Sequence, residues 1–349
     1  MKIPYLKSGY LDMKKIIEND YPFNFIVGAR GTGKTFGALE YVYLDPDVHF
    51  IYMRRTQEQC NTVSRQEFSP FKALEEYYNS QRLITCRSAG KNMGKYGDSI
   101  LNDEGEEIDY ITQGYSVALS TVANMRGFDM SDIRILFYDE FIKERHEKPL
   151  KDEGKAFLNA YETINRNREL SGRDPVKCIC MANSNDIANP IFTELKLVTT
   201  CEKMLAKGID VYTNRDRGIA IYLLHNSPIS QKKKQTALYK LADARTEFAK
   251  MAISNDFNLE EGINVKSRNL IEYIPLVQVG ESVIYKHKSD GSYYVTTHAS
   301  GKIPYFGDND MELKRFCRSY FYLWEAYLNR KIQFESYMLE RLFEHYYFK

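Results

Sequence analysis

At 349 residues the chain is long for one hydrophobic core, so two domains are the expectation. A formal net charge of +1 with 27% charged residues excludes an all-over basic coat for nucleic acid and leaves only local basic patches to serve such a partner. There is no run of 18 apolar residues, no leader pattern in MKIPYLKSGY and no C-x-x-C pair among the cysteines at 60, 86, 178, 180, 201 and 317, which predicts an intracellular protein with reduced thiols and no membrane partner.

Residues 23–35 read FNFIVGARGTGKT. A β-favouring run at 23–27 leads into Gly28, Ala29, Arg30, Gly31, Thr32 and Gly33, whose glycines let the backbone turn its N–H groups inward on an anion-sized space. That is the pattern of a phosphate-binding loop. Lys34 is placed to reach the β- and γ-phosphates and the Thr35 hydroxyl to hold Mg²⁺, with a helix over 36–44 that Asp45-Pro46 stops. A nucleoside triphosphate with Mg²⁺ is the expected ligand pair.

Strand-like and helix-like segments then alternate: strands at 48–53, 116–120, 133–138 and 176–182, helices at 66–78 and 153–168. This predicts an α/β fold with a doubly wound, mainly parallel sheet. Arg134 is a charge within the third of these strands, tolerable near its beginning. Residues 87–109 are polar and glycine-rich and read as a surface hairpin or mobile insertion.

The strand at 133–138 runs out in Asp139 and Glu140, and adjacent carboxylates at the carboxyl end of a strand beside a phosphate loop fit a division of labour. Asp139 would hold Mg²⁺ through water, and Glu140 would orient and deprotonate the attacking water. Arg54, ending HFIYMRR, is placed to hold Glu140 in an inactive rotamer, and Arg126 is a further charge for the triphosphate. INRNRE sets Arg166 and Arg168 at a helix end, either as surface charges compensating the dipole or as a catalytic finger. CICMANSN ends in Asn183 beside Ser184, where an uncharged polar group would sense the γ-phosphate.

A helical linker is expected over 228–264 after an ATPase domain at 1–227, and a third segment at 265–349 opens on a hairpin around Ser289-Asp290-Gly291 and closes on aromatic-rich helices. Residues 225–349 carry 18 lysines and arginines against 15 acids, and residues 265–349 show no acidic cluster at strand ends, so the latter are expected to bind without cutting.

Taken in order and spacing, GARGTGKT, IYMRR, FYDEF followed by IKE, NRNRE and CICMANS with Asn189-Pro190 resemble the DNA-packaging ATPases of phi-29-like small tailed phages, specifically through residue 200 and more loosely beyond. The resemblance implies an additional-strand, catalytic-glutamate ATPase core, a helical linker, and a C-terminal domain similar to a ribonuclease-H-type nuclease that has lost its catalytic carboxylates. It also implies a homopentameric ring on the portal of an empty prohead in the host cytoplasm, driving double-stranded DNA inward with ATP. Gly28, Gly33, Lys34 and Thr35 fall on that family's phosphate loop, Asp139 and Glu140 on its metal and catalytic acids, and Arg166 on its trans-acting arginine.

A motor of this kind needs a basic surface for the duplex. Residues 142–155 supply Lys143, Arg145, Lys148 and Lys151, with Glu144, Glu147, Asp152 and Glu153 as a balance that would make the same stretch an ordinary solvated loop. An ATP-dependent DNA-binding or remodelling protein that is not a packaging motor is the alternative. A GTP switch is disfavoured by the lack of N-K-x-D and D-x-x-G, and a small-molecule kinase by the Asp139-Glu140 pair. The residues leave open the number of subunits and whether a scaffold RNA takes part.

Overall fold

The structure is a computed structural model that describes residues 2–348 with the exception of 29, 91, 126–128, 144–146, 148–149, 184–185, 225–226, 234–235, 238–240, 242–263 and 308. The chain divides into two units, Met1–Phe257 and Asn258–Lys349. Most of the expected linker lies outside the described residues; its beginning is a short helix, Pro228–Lys233.

The first unit is built on nine strands: β1 (Phe23–Gly28), β2 (Phe50–Arg54), β3 (Thr85–Ser88), β4 (Met93–Leu101), β5 (Glu107–Ala118), β6 (Ile135–Asp139), β7 (Lys177–Ala182), β8 (Val211–Asn214) and β9 (Ile219–Leu224). Their order is β3-β4-β5-β2-β6-β7-β1-β9-β8. The six strands from β5 to β9 in that order run parallel, and β3, β4 and β8 add antiparallel edges. The result is a mixed, mainly parallel α/β sheet in which β7 lies between the phosphate-loop strand β1 and the Asp139 strand β6.

Central strands read as unbroken apolar runs because both faces are covered. Along β1, Ile26 packs into a core shared with Ile16 and Ile17 of α1 (Met13–Ile17) and Leu39 and Val42 of α2 (Lys34–Leu44). Its neighbour Phe25 points to the other face, edge-on to Phe141 and Phe192 at centroid distances of 5.9 and 5.3 Å. All five residues of β6, ILFYD, are buried.

The helix predicted over 66–78 is broken: a 3₁₀ turn at Gln66–Phe68 precedes Pro70, and only after α3 (Gln57–Val63) and this turn does α4 (Lys72–Tyr77) begin. Pro70 has no N–H to donate, and the sequence carried that signal. The helix predicted over 153–168 is α5 (Glu153–Asn165); Arg166 follows with φ +49°, a left-handed conformation that ends it. The polar segment at 87–109 belongs to a β-hairpin, with β4 and β5 paired antiparallel from Met93↔Val117 to Leu101↔Glu107. Arg134 lies outside β6, just before it, exposed and lining a polar cavity of about 300 Å³ with Arg168 and Arg173.

The second unit holds five strands in the order β13-β10-β11-β12-β14: β10 (Tyr273–Val279), β11 (Ser282–His287), β12 (Tyr293–Thr296), β13 (Tyr305–Phe306) and β14 (Ile332–Phe334). The predicted hairpin is β11–β12, and β13 and β14 join the meander in parallel on β10 and β12. A helix at Asp310–Leu328, capped by the Asn309 side chain, lays Phe316 and Leu323 on Val277, Ile284, Val295 and Phe334.

Candidate nucleotide site

The phosphate loop is formed as its glycines require. Gly28, Gly31 and Gly33 have φ of +149°, +66° and +90°. A Cβ at Gly28 would sit 2.5 Å from Cβ of Leu224, so β1 and β9 can approach only with glycine there. Helix α2 starts directly after Gly33 with no side chain capping it, which leaves its positive end to an anion. Lys34 is 5% exposed, its Nζ 2.8 Å from the Gly28 carbonyl and 3.3 Å from Thr32 Oγ1, so the ammonium sits inside the turn. Arg30 is exposed, and Ala29 lies outside the described residues.

The carboxylates meet this loop from β6. Thr35 Oγ1 donates to Asp139 Oδ1 at 3.1 Å, while Asp139 Oδ2 accepts from Tyr52 at 2.6 Å and from Arg54 Nη1 at 2.9 Å. A hydroxyl and a carboxylate oxygen side by side at the mouth of a phosphate loop form a hard oxygen donor set suited to Mg²⁺, which binds through one or two protein groups plus phosphates. Asp139 itself is 5% exposed.

Glu140 leaves the strand with φ +55°, an uncommon backbone for glutamate, of the kind that gathers at functional sites. Its carboxylate accepts from the Asn183 side-chain amide and, at 3.3 Å, from the Asn183 backbone N–H. Burial first, and then the adjacent Asp139 carboxylate, raise the Glu140 carboxyl above the ordinary glutamate range, against the pull of Arg54 and Lys34. A carboxylate of raised basicity is what a general base requires.

The partner expected for Arg54 needs correction. It pairs with Asp139, and Glu140 is held by Asn183, because β6 lies between β2 and β7, and Asp139 at its end and Glu140 just after it turn to opposite neighbours. Among the described residues, Arg54 Nε is buried without a hydrogen-bond partner. Sequence reasoning passed over two further residues in IYMRR. One is Tyr52, whose phenol burial and the Asp139 carboxylate hold well above its usual range, so that it stays a donor. The other is Arg55.

Arg55 is wholly buried and binds Glu153 through Nε and Nη2 at 2.6 and 3.1 Å and Glu147 through Nη1 at 3.0 Å, with Gln59 also donating to Glu147 at 2.8 Å. Two of the four acids that would balance the basic stretch at 142–155 are thus drawn inward. Lys143 is half-buried and Lys151 exposed there, while Arg145 and Lys148 lie outside the described residues, as do Arg126 and Ser184. Removing one partner of a buried ion pair strands the other charge. Arg55→Ala is therefore expected to lower the unfolding free energy by about 3–5 kcal/mol, read from chemical denaturation, and a midpoint equal to wild type would contradict the clamp.

The two arginines of INRNRE separate. Arg168 is buried, its Nη1 donating to the Ile133 carbonyl at 2.7 Å, and so serves the fold; Arg166 is exposed. Helix α5 begins at the Arg55 clamp and ends where Asn165 Oδ1 accepts from Val176 N at 2.9 Å, beside the start of β7. Thirteen residues at 1.5 Å each carry Arg166 about 20 Å away, to the end of the sheet opposite Glu140.

The six cysteines are unpaired by disulfides, with Cys178 and Cys180 Sγ atoms 3.7 Å apart on one face of β7. Among the described residues no group of three or more His, Cys, Asp or Glu could hold a metal ion, and no helix is long and apolar enough to cross a membrane.

A family model described as podovirus DNA encapsidation protein (Gp16) matches residues 5–297. The DNA packaging protein of Bacillus phage phi29 is 25% identical over 267 residues, spanning 75% of this chain and 70% of the relative. That of Bacillus phage B103 is 24% identical over 258 residues, spanning 73% and 70%. Among solved structures, the Phi-28 gp11 DNA packaging motor matches with TM-score 0.64 and 19% identity over 97% of this chain and 98% of that one. The bacteriophage Phi-29 viral genome packaging motor assembly matches with TM-score 0.64 and 18% identity over 96% and 97%; at such identities the likeness is one of fold.

Proposed function

This chain belongs to the podovirus DNA encapsidation protein (Gp16) family, and from that premise we propose that it hydrolyses ATP to drive double-stranded DNA into a phage prohead. The observation that carries the reading is the meeting of Thr35 Oγ1 and Asp139 Oδ1 at 3.1 Å in front of the phosphate loop, with Glu140 next in the chain. Gly28, Ala29, Arg30, Gly31, Thr32 and Gly33 bind the phosphates, Lys34 neutralises them, and Thr35 and Asp139 hold Mg²⁺. When bound, Mg²⁺ neutralises charge on the β- and γ-phosphate oxygens. Glu140 orients a water and takes its proton, and Asn183, bonded to the same carboxylate, reports whether that base is engaged. The strand order, with β7 between β1 and β6, supports the additional-strand, catalytic-glutamate class of ATPase.

The withdrawal of Glu147 and Glu153 onto Arg55 favours a basic balance along 142–155, with the exposed Lys151 a candidate contact for duplex phosphates. Arg166, on the far end of the sheet from its own Glu140, suits action on a neighbouring subunit in a ring, in keeping with a homopentamer on the portal in the host cytoplasm. The second unit, of ribonuclease-H-type kinship in this reading, docks on DNA or portal without cutting. ATP turnover with and without duplex DNA and purified proheads tests the whole: stimulation by both together is expected. Turnover raised by DNA and indifferent to proheads would instead identify an ATP-dependent DNA-binding or remodelling protein.

A further inference from the structure

We propose that Tyr52 is a positioning residue for the metal-holding carboxylate of Asp139, an inference that rests on the nucleotide reading above. The torsion that rotates a carboxylate is broad and roughly two-fold, so an aspartate at a metal site points a chosen oxygen forward only if the other is tied down. Here Asp139 Oδ2 is tied by two donors, the Tyr52 hydroxyl at 2.6 Å and Arg54 Nη1 at 2.9 Å, and this leaves Oδ1 facing Thr35 Oγ1.

The two anchors differ in rigidity. Tyr52 is 2% exposed, in mid-strand, and in register with Phe137 two residues before Asp139, so its ring has one place to go. Arg54 is partly exposed at the end of the strand and reaches Oδ2 over a stem with several rotatable bonds. The phenol is therefore the fixed point: it occupies Oδ2, keeps the carboxylate plane from turning, and commits Oδ1 to the space shared with Thr35.

The test follows Mn²⁺ binding by electron paramagnetic resonance in the presence of a non-hydrolysable ATP analogue, together with nucleotide affinity in EDTA and the melting temperature. Tyr52→Phe keeps the buried ring and removes only the donor. It is expected to bind Mn²⁺ about 10- to 100-fold more weakly, with metal-free nucleotide affinity and melting temperature retained. Mn²⁺ titrations superimposable on wild type would overturn the proposal. An equal fall in metal-free nucleotide affinity would also overturn it, since the loop rather than the carboxylate would then be what Tyr52 supports. A wild-type protein that takes up no Mn²⁺ with the analogue would fail the nucleotide reading itself, before Tyr52 is at issue.

Discussion

Glu140→Gln is expected to bind Mg²⁺ and ATP as wild type does and to hydrolyse the nucleotide about 10²- to 10⁴-fold more slowly, the usual worth of a general base, whereas Lys34→Ala loses affinity for the triphosphate. The separation follows from where each group sits. The Lys34 ammonium lies inside the turn of the loop, against the Gly28 carbonyl, where ground-state phosphates would bind. Glu140 stands outside the loop on a left-handed residue, its carboxylate turned to Asn183. Glutamine there retains shape and loses the ability to accept a proton. Its neutral amide also removes the repulsion between adjacent carboxylates, so nucleotide binding should not suffer. Binding of a fluorescent ATP analogue and single-turnover phosphate release measure the two properties independently, and an equal loss of binding in both variants would refute the division of roles.

Much of this site was legible because its chemistry is local in sequence. The loop, Lys34, Thr35 and the strand ending in Asp139 and Glu140 each need a residue type at a fixed spacing, and the structure brings them together. Partners far apart in the chain were not legible. Arg55 meets Glu147 and Glu153 across 92 and 98 positions, and no local pattern distinguishes an arginine bound for the interior from one ending a strand in solvent. Arg54 was assigned to the wrong carboxylate for a related reason. Which of two adjacent acids faces β2 depends on the order of strands, and β6 between β2 and β7 turns Asp139 one way and Glu140 the other. Periodicity likewise suggested a helix through Pro70 where the ring and the missing N–H forbid one. In the second unit the hairpin could be read from its turn, but β14 joins β12 only after a long helix, a placement that tertiary packing decides.

Arg166→Ala is expected to reduce ATP turnover of the assembled protein by about 10³- to 10⁵-fold, the range for an arginine that stabilises charge on the transferring phosphoryl group. The same change should leave ATP binding to isolated subunits intact, because α5 holds Arg166 at the end of the sheet opposite its own Asp139 and Glu140. An arginine so placed acts on the triphosphate of another copy or on none. Arg168, two residues on, cannot substitute: its guanidinium is committed to the carbonyls of Ile133 and Met130. Mixing separates the alternatives. An Arg166→Ala subunit keeps a complete phosphate loop, and a Lys34→Ala subunit keeps its arginine, so each pair in one of the two orders rebuilds a whole site at their interface. Partial recovery of turnover in mixed assemblies, when each variant alone is inactive, is the expected result. If assemblies verified by mass to contain both variants recover nothing, Arg166 is a surface charge at a helix end and the catalytic arginine must be sought elsewhere in the chain.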